Sequence, residues 1–423
     1  MTAYILQFSG EAITLGPVFA TGGEARVHVV SGHPELLAKL YTKKSPDIED
    51  KLAAMITAPP PCLSLGGGYA EAVWPLDIVR DADAGNACVG YVMRYVRNRL
   101  RLEEIANPAI CPPQIDFSCR LRMATNLAWM TAELQAAGYV VGDLHLGNML
   151  ADQAGCVSFI DTDSFQFVYQ GRLFRCEVGK REFIAPELHN KNLKNTDRTI
   201  EQDAFSLAIG IFQLLMDGNH PYQGKWIGNG QKPPLNKRIV KGIWPYSQPA
   251  PKNWRPRSVA PPLDILHPRV RKAMIRCFKR GHGDPGQRPS ANRWHQLLLD
   301  VENDQTYLKK VSPLYQKAAW RTQSPGAISN FRQAFTGKWF SRWASRLAKW
   351  THLHRLGKKW GIRLAATFAV LLLCTFLAIK YRSAVAKALN LDAPHRYSTE
   401  NYGHGKPTPK LWQVLRDSSK ESN

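Results

Sequence analysis

The pattern of apolar and polar positions changes after about the first hundred residues. Before that point short apolar runs alternate with turn residues, which predicts strands at 12–15, 27–30, 37–41, 72–78 and 89–95. A helix is predicted at 45–56, between a Ser-Pro start and three consecutive prolines. Beyond residue 100 longer helical patterns are separated by one pair of strands (149–150 and 157–160), and the predicted helices are 117–138, 201–216, 266–278 and 291–304. The order predicts an α+β fold, with a β-rich lobe, a larger helical lobe and a cleft between them.

Composition supports a folded protein of a reducing compartment. The chain has 423 residues, and 44% of them are hydrophobic, enough to bury a substantial core. Its eight cysteines are scattered without a C-x-x-C pair, so neither a zinc site nor a disulfide framework is indicated. The first residues lack a basic region followed by an apolar one, so no signal peptide is predicted.

The strongest chemical signal is a short polar motif after the predicted helix 117–138. Asp143 is followed five residues later by Asn148, and a short hairpin then leads to Asp161. In phosphoryl transfer from ATP, the first Asp would orient the acceptor hydroxyl and take its proton, while Asn148 and Asp161 would hold Mg²⁺. The same residue types also satisfy backbone donors in an ordinary β-turn, which remains the simpler alternative for this motif alone.

A possible phosphate site lies upstream. Gly22 and Gly23 fall between two predicted strands, where a glycine-rich turn would let backbone amides approach a triphosphate, although an ordinary hairpin fits as well. Lys39 lies on an otherwise apolar strand and needs an anion, because burial of an unpaired ammonium is costly. ATP phosphates and a helix carboxylate would supply it, and Glu49 is the best candidate for that carboxylate.

Together these motifs resemble the protein kinases, specifically a divergent bacterial serine/threonine-kinase-like group, over about residues 8–303. The resemblance implies a bilobal kinase fold that binds ATP and Mg²⁺. Asp143 matches the catalytic-loop base and Lys39 the strand lysine. The nucleotide-binding and metal-binding positions are Gly22, Gly23, Val27, Ala38, Lys39, Glu49, Met93, Tyr95, Asn148 and Asp161, with Met93–Val96 as the hinge beside adenine.

Three further positions match structural residues of the helical kinase lobe. Glu187 closes the activation segment in an Ala-Pro-Glu triplet, Asp203 braces the catalytic loop, and Arg288 forms a salt bridge with Glu187. Aminoglycoside or choline phosphotransferases share the Asp-Leu-His-x-Gly-Asn spelling but not these three positions. The protein-kinase reading is therefore preferred, with a small-molecule phosphotransferase as an alternative.

Two departures from the kinase pattern affect the acceptor site. His145 stands where kinases have a lysine, and Lys180 stands where they have a threonine. We hypothesise that Lys180 reaches the γ-phosphate in place of the missing lysine. A catalytically weak or inactive ATP-binding scaffold is a further alternative.

Regulation by phosphorylation of the activation segment is not expected. The usual arginine before Asp143 is absent, and residues 165–186 contain no Ser or Thr, with Tyr169 as the only hydroxyl. In kinases that arginine pairs with a phosphate on this segment. The two absences agree, so we hypothesise that such phosphorylation does not switch the protein.

The last 120 residues have a different character. Residues 1–303 carry 35 Lys+Arg and 29 Asp+Glu, whereas residues 304–423 carry 21 and 5. Within 304–363, tryptophan and leucine recur every three or four residues between basic ones, which predicts an amphipathic helix at an anionic membrane surface. Nucleic-acid binding is a less favoured alternative. Residues 364–379 are uncharged and mostly apolar, and they predict one transmembrane helix followed by a disordered tail, 380–423.

The sequence therefore predicts an N-lobe at 1–96 and a C-lobe at 97–303, followed by the basic juxtamembrane segment, the transmembrane helix and the tail. The expected function is ATP- and Mg²⁺-dependent transfer to Ser or Thr of a protein. The kinase domain would lie in the cytoplasm on a single-pass inner-membrane protein. By the resemblance, a protein phosphatase and a von Willebrand factor A-type protein are expected partners.

Overall fold

A computed structural model describes residues 4–64 and 70–317. The strands of this part are β1 (Tyr4–Leu6), β2 (Ala12–Ile13), β3 (Leu15–Thr21), β4 (Ala25–Val30), β5 (His33–Tyr41), β6 (Ala70–Ala72), β7 (Pro75–Asp81), β8 (Ala87–Arg94), β9 (Leu100–Arg101), β10 (Met149–Ala151), β11 (Val157–Phe159), β12 (Phe167–Tyr169), β13 (Arg172–Phe174), β14 (Lys225–Trp226) and β15 (Trp254–Arg255). The helices are α1 (Ile48–Thr57), α2 (Leu102–Ala106), α3 (Phe117–Ala136), α4 (Ile200–Leu215), α5 (Leu235–Val240), α6 (Pro268–Ile275), α7 (Gly281–Gly283), α8 (Ala291–Glu302) and α9 (Gln305–Lys317).

The N-terminal lobe is built on a seven-stranded antiparallel sheet with the order β2-β1-β7-β8-β5-β4-β3. Helix α1 packs against β7. Its buried Leu52 joins a core cluster with Leu37, Ile78, Tyr91 and Met93 from the central strands. This cluster places β5, which carries Lys39, in the middle of the lobe.

The C-terminal lobe is organised around α3, which is buried along most of its length and packs against α4 and α8. Local sequence sets where these helices begin. The Asp116 side chain accepts from the Cys119 N–H at 2.8 Å, and Ser290 accepts from the Arg293 N–H at 3.2 Å. Such caps satisfy backbone donors that a helix start leaves unpaired. Asp143, Asn148 and Asp161 lie on the loop and hairpin (β10–β11) that follow α3.

The predicted bilobal α+β fold of the protein-kinase type is confirmed, with differences in individual elements. The predicted strand 72–78 is two strands, because the chain passes between sheets at Val73–Trp74: β6 pairs with β11 of the other lobe and β7 with β1 and β8. Strand β3 was missed because Gly16 and Pro17 interrupt its pattern, and it lies at the sheet edge with register shifts.

Helix α9 lies beyond the predicted end of the C-lobe at 303. Tyr315 stacks on Phe117 of α3, with ring centroids 4.3 Å apart, and donates a hydrogen bond to the Leu215 carbonyl. The compact unit therefore extends through this helix, into the segment predicted to be juxtamembrane.

The membrane-related predictions fall outside the described residues. These are the Trp-rich amphipathic helix, the transmembrane helix at 364–379 and the tail at 380–423. Among residues 4–64 and 70–317, no helix has the length and apolar character needed to cross a bilayer. The anchor therefore stays a prediction from sequence.

Candidate active site

The loop that follows α3 is fixed by hydrogen bonds to Asp203 of α4. The Asp203 carboxylate is buried and accepts from the Val141 and Gly142 N–H groups, both at 2.8 Å. Burial raises the pKa of Asp203 to about 6, although these two hydrogen bonds oppose the shift. Gly142 has a φ of 71°, and a Cβ there would lie 2.5 Å from the Cys176 sulfur. Position 142 therefore requires glycine, and the backbone before Asp143 is rigidly placed.

Asp143 is enclosed by donors from three directions. Its Oδ1 accepts from the Lys180 backbone N–H at 2.9 Å, and its Oδ2 lies 3.3 Å from Asn148 Nδ2 and 3.6 Å from His145 Nε2. Burial alone would raise the pKa of Asp143, but His145, the Lys180 amide and Asn148 together hold that pKa below its usual value. Asp143 is therefore a carboxylate at neutral pH, the state required of a proton acceptor.

Asn148 and Asp161 are brought together by the β10–β11 hairpin. Asn148 ends a short 3-10 turn before β10, and Asp161 follows β11, where the Ile160 N–H donates to the Asn148 carbonyl at 2.9 Å. Asp161 has a φ of 66°, an uncommon conformation for a residue other than glycine. Burial and the nearby Asp163 charge raise the pKa of Asp161, so its ionised form needs a neighbouring cation.

Lys39 reaches across the cleft from β5 to the loop after β11. Its ammonium pairs with Asp161 Oδ1 and lies 2.6 Å from Asp163 Oδ1 and 2.9 Å from Asp163 Oδ2. Although burial works in the opposite direction, the two carboxylates hold the pKa of Lys39 above its usual value. The contacts join both lobes at the predicted phosphate site.

Glu49 is not the partner of Lys39, and this prediction is wrong. Glu49 pairs with Arg80 on β7, and 44% of its side chain is exposed. Helix α1 turns a different residue, Lys51, toward the interior, where its ammonium donates to the Arg175 carbonyl at 3.0 Å. The sequence suggested Glu49 because it is acidic and lies on the expected helix, but the rotation of that helix decides which side chain faces β5.

Three of the predicted nucleotide-binding residues of the N-lobe form an apolar roof over the cleft. Val27, Met93 and Tyr95 belong to one apolar cluster with Leu37 and Ile160, the residue before Asp161. Strand alternation places Leu37 on the same face as Lys39 and Ala38 on the opposite face, so Leu37 takes the place predicted for Ala38.

The glycine turn and the hinge frame the two ends of this roof. Gly22 and Gly23 lie between β3 and β4, and the Gly22 N–H donates to the Ala25 carbonyl at 2.9 Å. A Cβ at Gly23 would meet nothing within 4 Å, so the turn is open on that side. At the other end, the Tyr95 N–H is paired with the Glu35 carbonyl at 2.7 Å, and the Tyr95 ring contacts Phe19. The Tyr95 amide is therefore already used by the sheet.

The activation segment is tied at its end to the base of the C-lobe. Arg288 donates to both carboxylate oxygens of Glu187, each at 2.8 Å, as the resemblance implied. The Arg288 side chain is fully buried, so the Glu187 carboxylate offsets the hydration that the guanidinium has lost. This bidentate pair fixes the end of the segment that passes Asp143.

The two departures from the kinase pattern occupy defined positions. His145 Nδ1 accepts from the Gly147 N–H at 3.0 Å, so Nε2 carries the proton of the neutral ring and faces Asp143. The Lys180 ammonium lies 4.0 Å from a Glu103 oxygen and is about half exposed. In this structure the backbone of Lys180, rather than its ammonium, contacts Asp143.

The donor set fits magnesium that arrives with a nucleotide. Within the described part of the chain, no three His, Cys, Asp or Glu side chains form a metal cluster. Mg²⁺ in nucleotide sites commonly uses one or two carboxylates together with phosphates and water. Asp161 offers a partly exposed carboxylate, and Asn148 offers an amide whose nitrogen donates to Asp143.

The structure thus has a two-lobed, kinase-like fold, and the comparisons with known proteins agree with it. No family model matches the chain. Protein kinase YegI of Escherichia coli K12 is 30% identical over 328 residues, which are 75% of this chain and 49% of that protein. The same-named protein of Escherichia coli O157:H7 is 29% identical over 326 residues, with the same two shares. This similarity supports a divergent bacterial protein-kinase-like family, and the chain spans about half the length of the curated relatives it matches.

Solved structures show weaker similarity. The ROP18 kinase domain in complex with AMP-PNP and sucrose has a TM-score of 0.46 and 16% identity, covering 79% of this chain and 87% of that one. ROP2 from Toxoplasma gondii, described as having a protein-kinase fold and no enzymatic activity, has the same TM-score and identity, covering 74% and 87%. Both TM-scores are too low to support a functional comparison.

Proposed function

We propose that the chain binds Mg·ATP between its lobes and transfers the γ-phosphoryl group to a Ser or Thr hydroxyl of a protein at the cytoplasmic membrane. The observation that carries the proposal is the meeting of Lys39 from one lobe with the Asp161 loop of the other, beside Asp143 and Asn148. The similarity to proteins named as protein kinases supports it. The membrane part depends on the predicted helix at 364–379.

The roles of the residues follow from their positions. Asp143, ionised and fixed by the Lys180 amide, orients the acceptor hydroxyl and takes its proton. Lys39 binds phosphate oxygens, and the apolar roof of Val27, Leu37 and Met93 packs against the base. When bound, Mg²⁺ neutralises charge on the phosphates, held by Asp161 and Asn148. Positioning and electrostatics supply most of the catalysis in such a site.

A catalytically weak, ATP-binding scaffold is the second candidate. The observation that favours it is His145, whose ring accepts from the Gly147 N–H where the resemblance expects a lysine near the transferred phosphate. A site lacking that positive charge would still bind nucleotide but transfer slowly. A small-molecule acceptor is disfavoured by the Glu187–Arg288 pair, which belongs to the protein-kinase pattern.

Transfer of labelled γ-phosphate by the full chain tests the proposal, with casein and histone as protein acceptors. We expect Asp143→Asn to lower kcat about 10²–10⁴-fold, since it removes the base. Asp161→Ala should also abolish Mg²⁺-dependent transfer. Asp300→Asn, an exposed carboxylate on α8, is the matched control and should transfer like wild type.

The outcomes separate the candidates. Transfer that depends on Asp143 and Asp161 supports a working kinase. Nucleotide binding without transfer supports the scaffold, and label found only in a metabolite supports the small-molecule alternative. A chain that binds no nucleotide would contradict all three.

A further inference from the structure

The principal carboxylate partner of Lys39 lies on the loop that carries the metal aspartate. Asp163, two residues after Asp161, takes the Lys39 ammonium between its two oxygens at 2.6 and 2.9 Å. The exposed fraction is 12% for the Lys39 side chain and 7% for the Asp163 side chain. A buried pair of this geometry is strongly directional, because each charge has lost its water.

Two tyrosines complete the surroundings of Asp163. The Tyr41 hydroxyl donates to Oδ2 at 2.7 Å, and the Tyr91 hydroxyl donates to Oδ1 at 2.8 Å. Tyr41 and Lys39 lie two residues apart on β5, and Tyr91 lies directly opposite Lys39 on β8. Three side chains of the N-lobe therefore converge on one carboxylate of the C-lobe. Asp161, with 38% of its side chain exposed, lacks this enclosure and is open to the cleft.

Helix α1 offers no carboxylate for this purpose. Glu49 and Asp50 face outward, toward Arg80 and Arg172. The buried face presents Lys51, whose charge would repel Lys39 rather than hold it. Among the described residues of α1, no carboxylate is therefore placed to pair with the Lys39 ammonium.

We propose that Asp163 is the positioning residue for Lys39. It holds the ammonium at the mouth of the phosphate site, the role that the kinase resemblance gives to a helix carboxylate. The inference rests on the proposed nucleotide-binding function. If so, the loop after β11 positions both the phosphate-binding Lys39 and the metal-binding Asp161, and the position of the Lys39 ammonium does not depend on where α1 lies.

Binding of the fluorescent analogue mant-ATP with Mg²⁺ to the full chain tests this role. We expect Asp163→Asn, which keeps the shape and removes the charge, to weaken binding at least tenfold. Tyr91→Phe should weaken it less, since it removes one of several donors. Glu49→Gln is the matched control and should change the affinity less than twofold, because Glu49 pairs with Arg80 instead.

A Lys39→Met background separates positioning from a general structural effect. If Asp163 acts through Lys39, then Asp163→Asn should add little further loss in that background. Equal loss in both backgrounds would overturn the proposal, as would near wild-type affinity of Asp163→Asn.

Failure of the proposed function would be visible separately. If the wild type binds no mant-ATP, the proposed function is contradicted. The coupling between Lys39 and Asp163 is then measured by urea unfolding of the wild type, the Asp163→Asn variant, the Lys39→Met variant and the double variant. The two single variants give an expected unfolding constant for the double variant, on the assumption that their effects are independent. A double variant that is at least tenfold more stable than this expected value would support the pairing of Lys39 with Asp163. Multiplicative single effects would overturn it.

Discussion

The protonation state of His220 is decided by its burial. His220 is fully enclosed, with Nε2 donating to the Glu182 carbonyl at 2.8 Å and Nδ1 accepting from the Tyr222 N–H at 3.2 Å. Burial lowers the pKa of His220 to about 3, although the bond to Glu182 opposes the shift. The ring therefore stays neutral and links the end of the activation segment to the segment after α4.

This arrangement predicts acid sensitivity. The unfolded chain takes up a proton on His220 below about pH 6.5, whereas the folded chain does not until near pH 3. The free energy of unfolding should thus fall by about 1.4 kcal/mol for each pH unit below 6.5, and this contribution is absent above that pH. Urea unfolding at pH 7.5 and 5.5 measures it. His220→Gln should reduce the dependence, and an unchanged slope would contradict the prediction.

At the scale of elements, α1 and the activation segment hold each other without a phosphate. Lys51 donates to the Arg175 carbonyl, the Ser45 hydroxyl donates to Glu177, and Arg172 pairs with Asp47 and Asp50. The Arg172 pairs are exposed, and each contributes at most about 1 kcal/mol. The buried Lys51 contact is the stronger one. These contacts agree with the hypothesis that phosphorylation does not order this segment.

Replacement of Lys51 should loosen the activation segment locally. Lys51→Met removes the bond to the Arg175 carbonyl while filling the same volume, so amide exchange across the β12–β13 hairpin and residues 175–178 should accelerate roughly tenfold, the effect of losing about 1.4 kcal/mol. Hydrogen–deuterium exchange measures it. Arg172→Ala is the surface control and should have a smaller effect. Exchange as slow as in wild type would show that Lys51 does not hold the segment.

At the scale of the whole compact unit, α9 packs against α3 and α8 of the C-lobe. Tyr315 packs between Phe117 and the guanidinium of Arg120, and Arg120 itself pairs with Asp217 at 2.8 Å. The helix is therefore part of the core of the C-lobe.

Removing the Tyr315 side chain should therefore destabilise the lobe. Tyr315→Ala should lower the free energy of unfolding by about 3–5 kcal/mol, because it empties a buried aromatic site. Tyr315→Phe keeps the ring and should cost about 1 kcal/mol through the lost hydrogen bond to Leu215. Gln316→Ala, the exposed neighbour, should stay within about 0.5 kcal/mol. Urea unfolding followed by tryptophan fluorescence measures all three, and equal effects at 315 and 316 would show that α9 is not part of the core.

The sequence alone determined the fold class and most of the catalytic loop. Asp143, Asn148 and Asp161 lie within one loop and one hairpin, and such local motifs have few geometries available. Asp203 and Arg288 could be named because the motifs around them match those of the protein kinases; Asp203 lies in the first turn of α4, and Arg288 lies just before α8. Local spacing was sufficient wherever a residue and its partner belong to the same short segment or to a regular element.

The tertiary structure decided which side chains meet across elements. Asp163 rather than Glu49 holds Lys39, because the rotation of α1 about its axis turns Lys51 inward, and periodicity does not specify that rotation. Leu37 rather than Ala38 joins the apolar cluster with Val27 and Met93, since the packing of the neighbouring strands decides which face of β5 this cluster covers. Helix α9 belongs to the core although the C-lobe was predicted to end at residue 303. An apolar stripe predicts that a helix packs, but the surface that it packs against exists only once the lobe has folded.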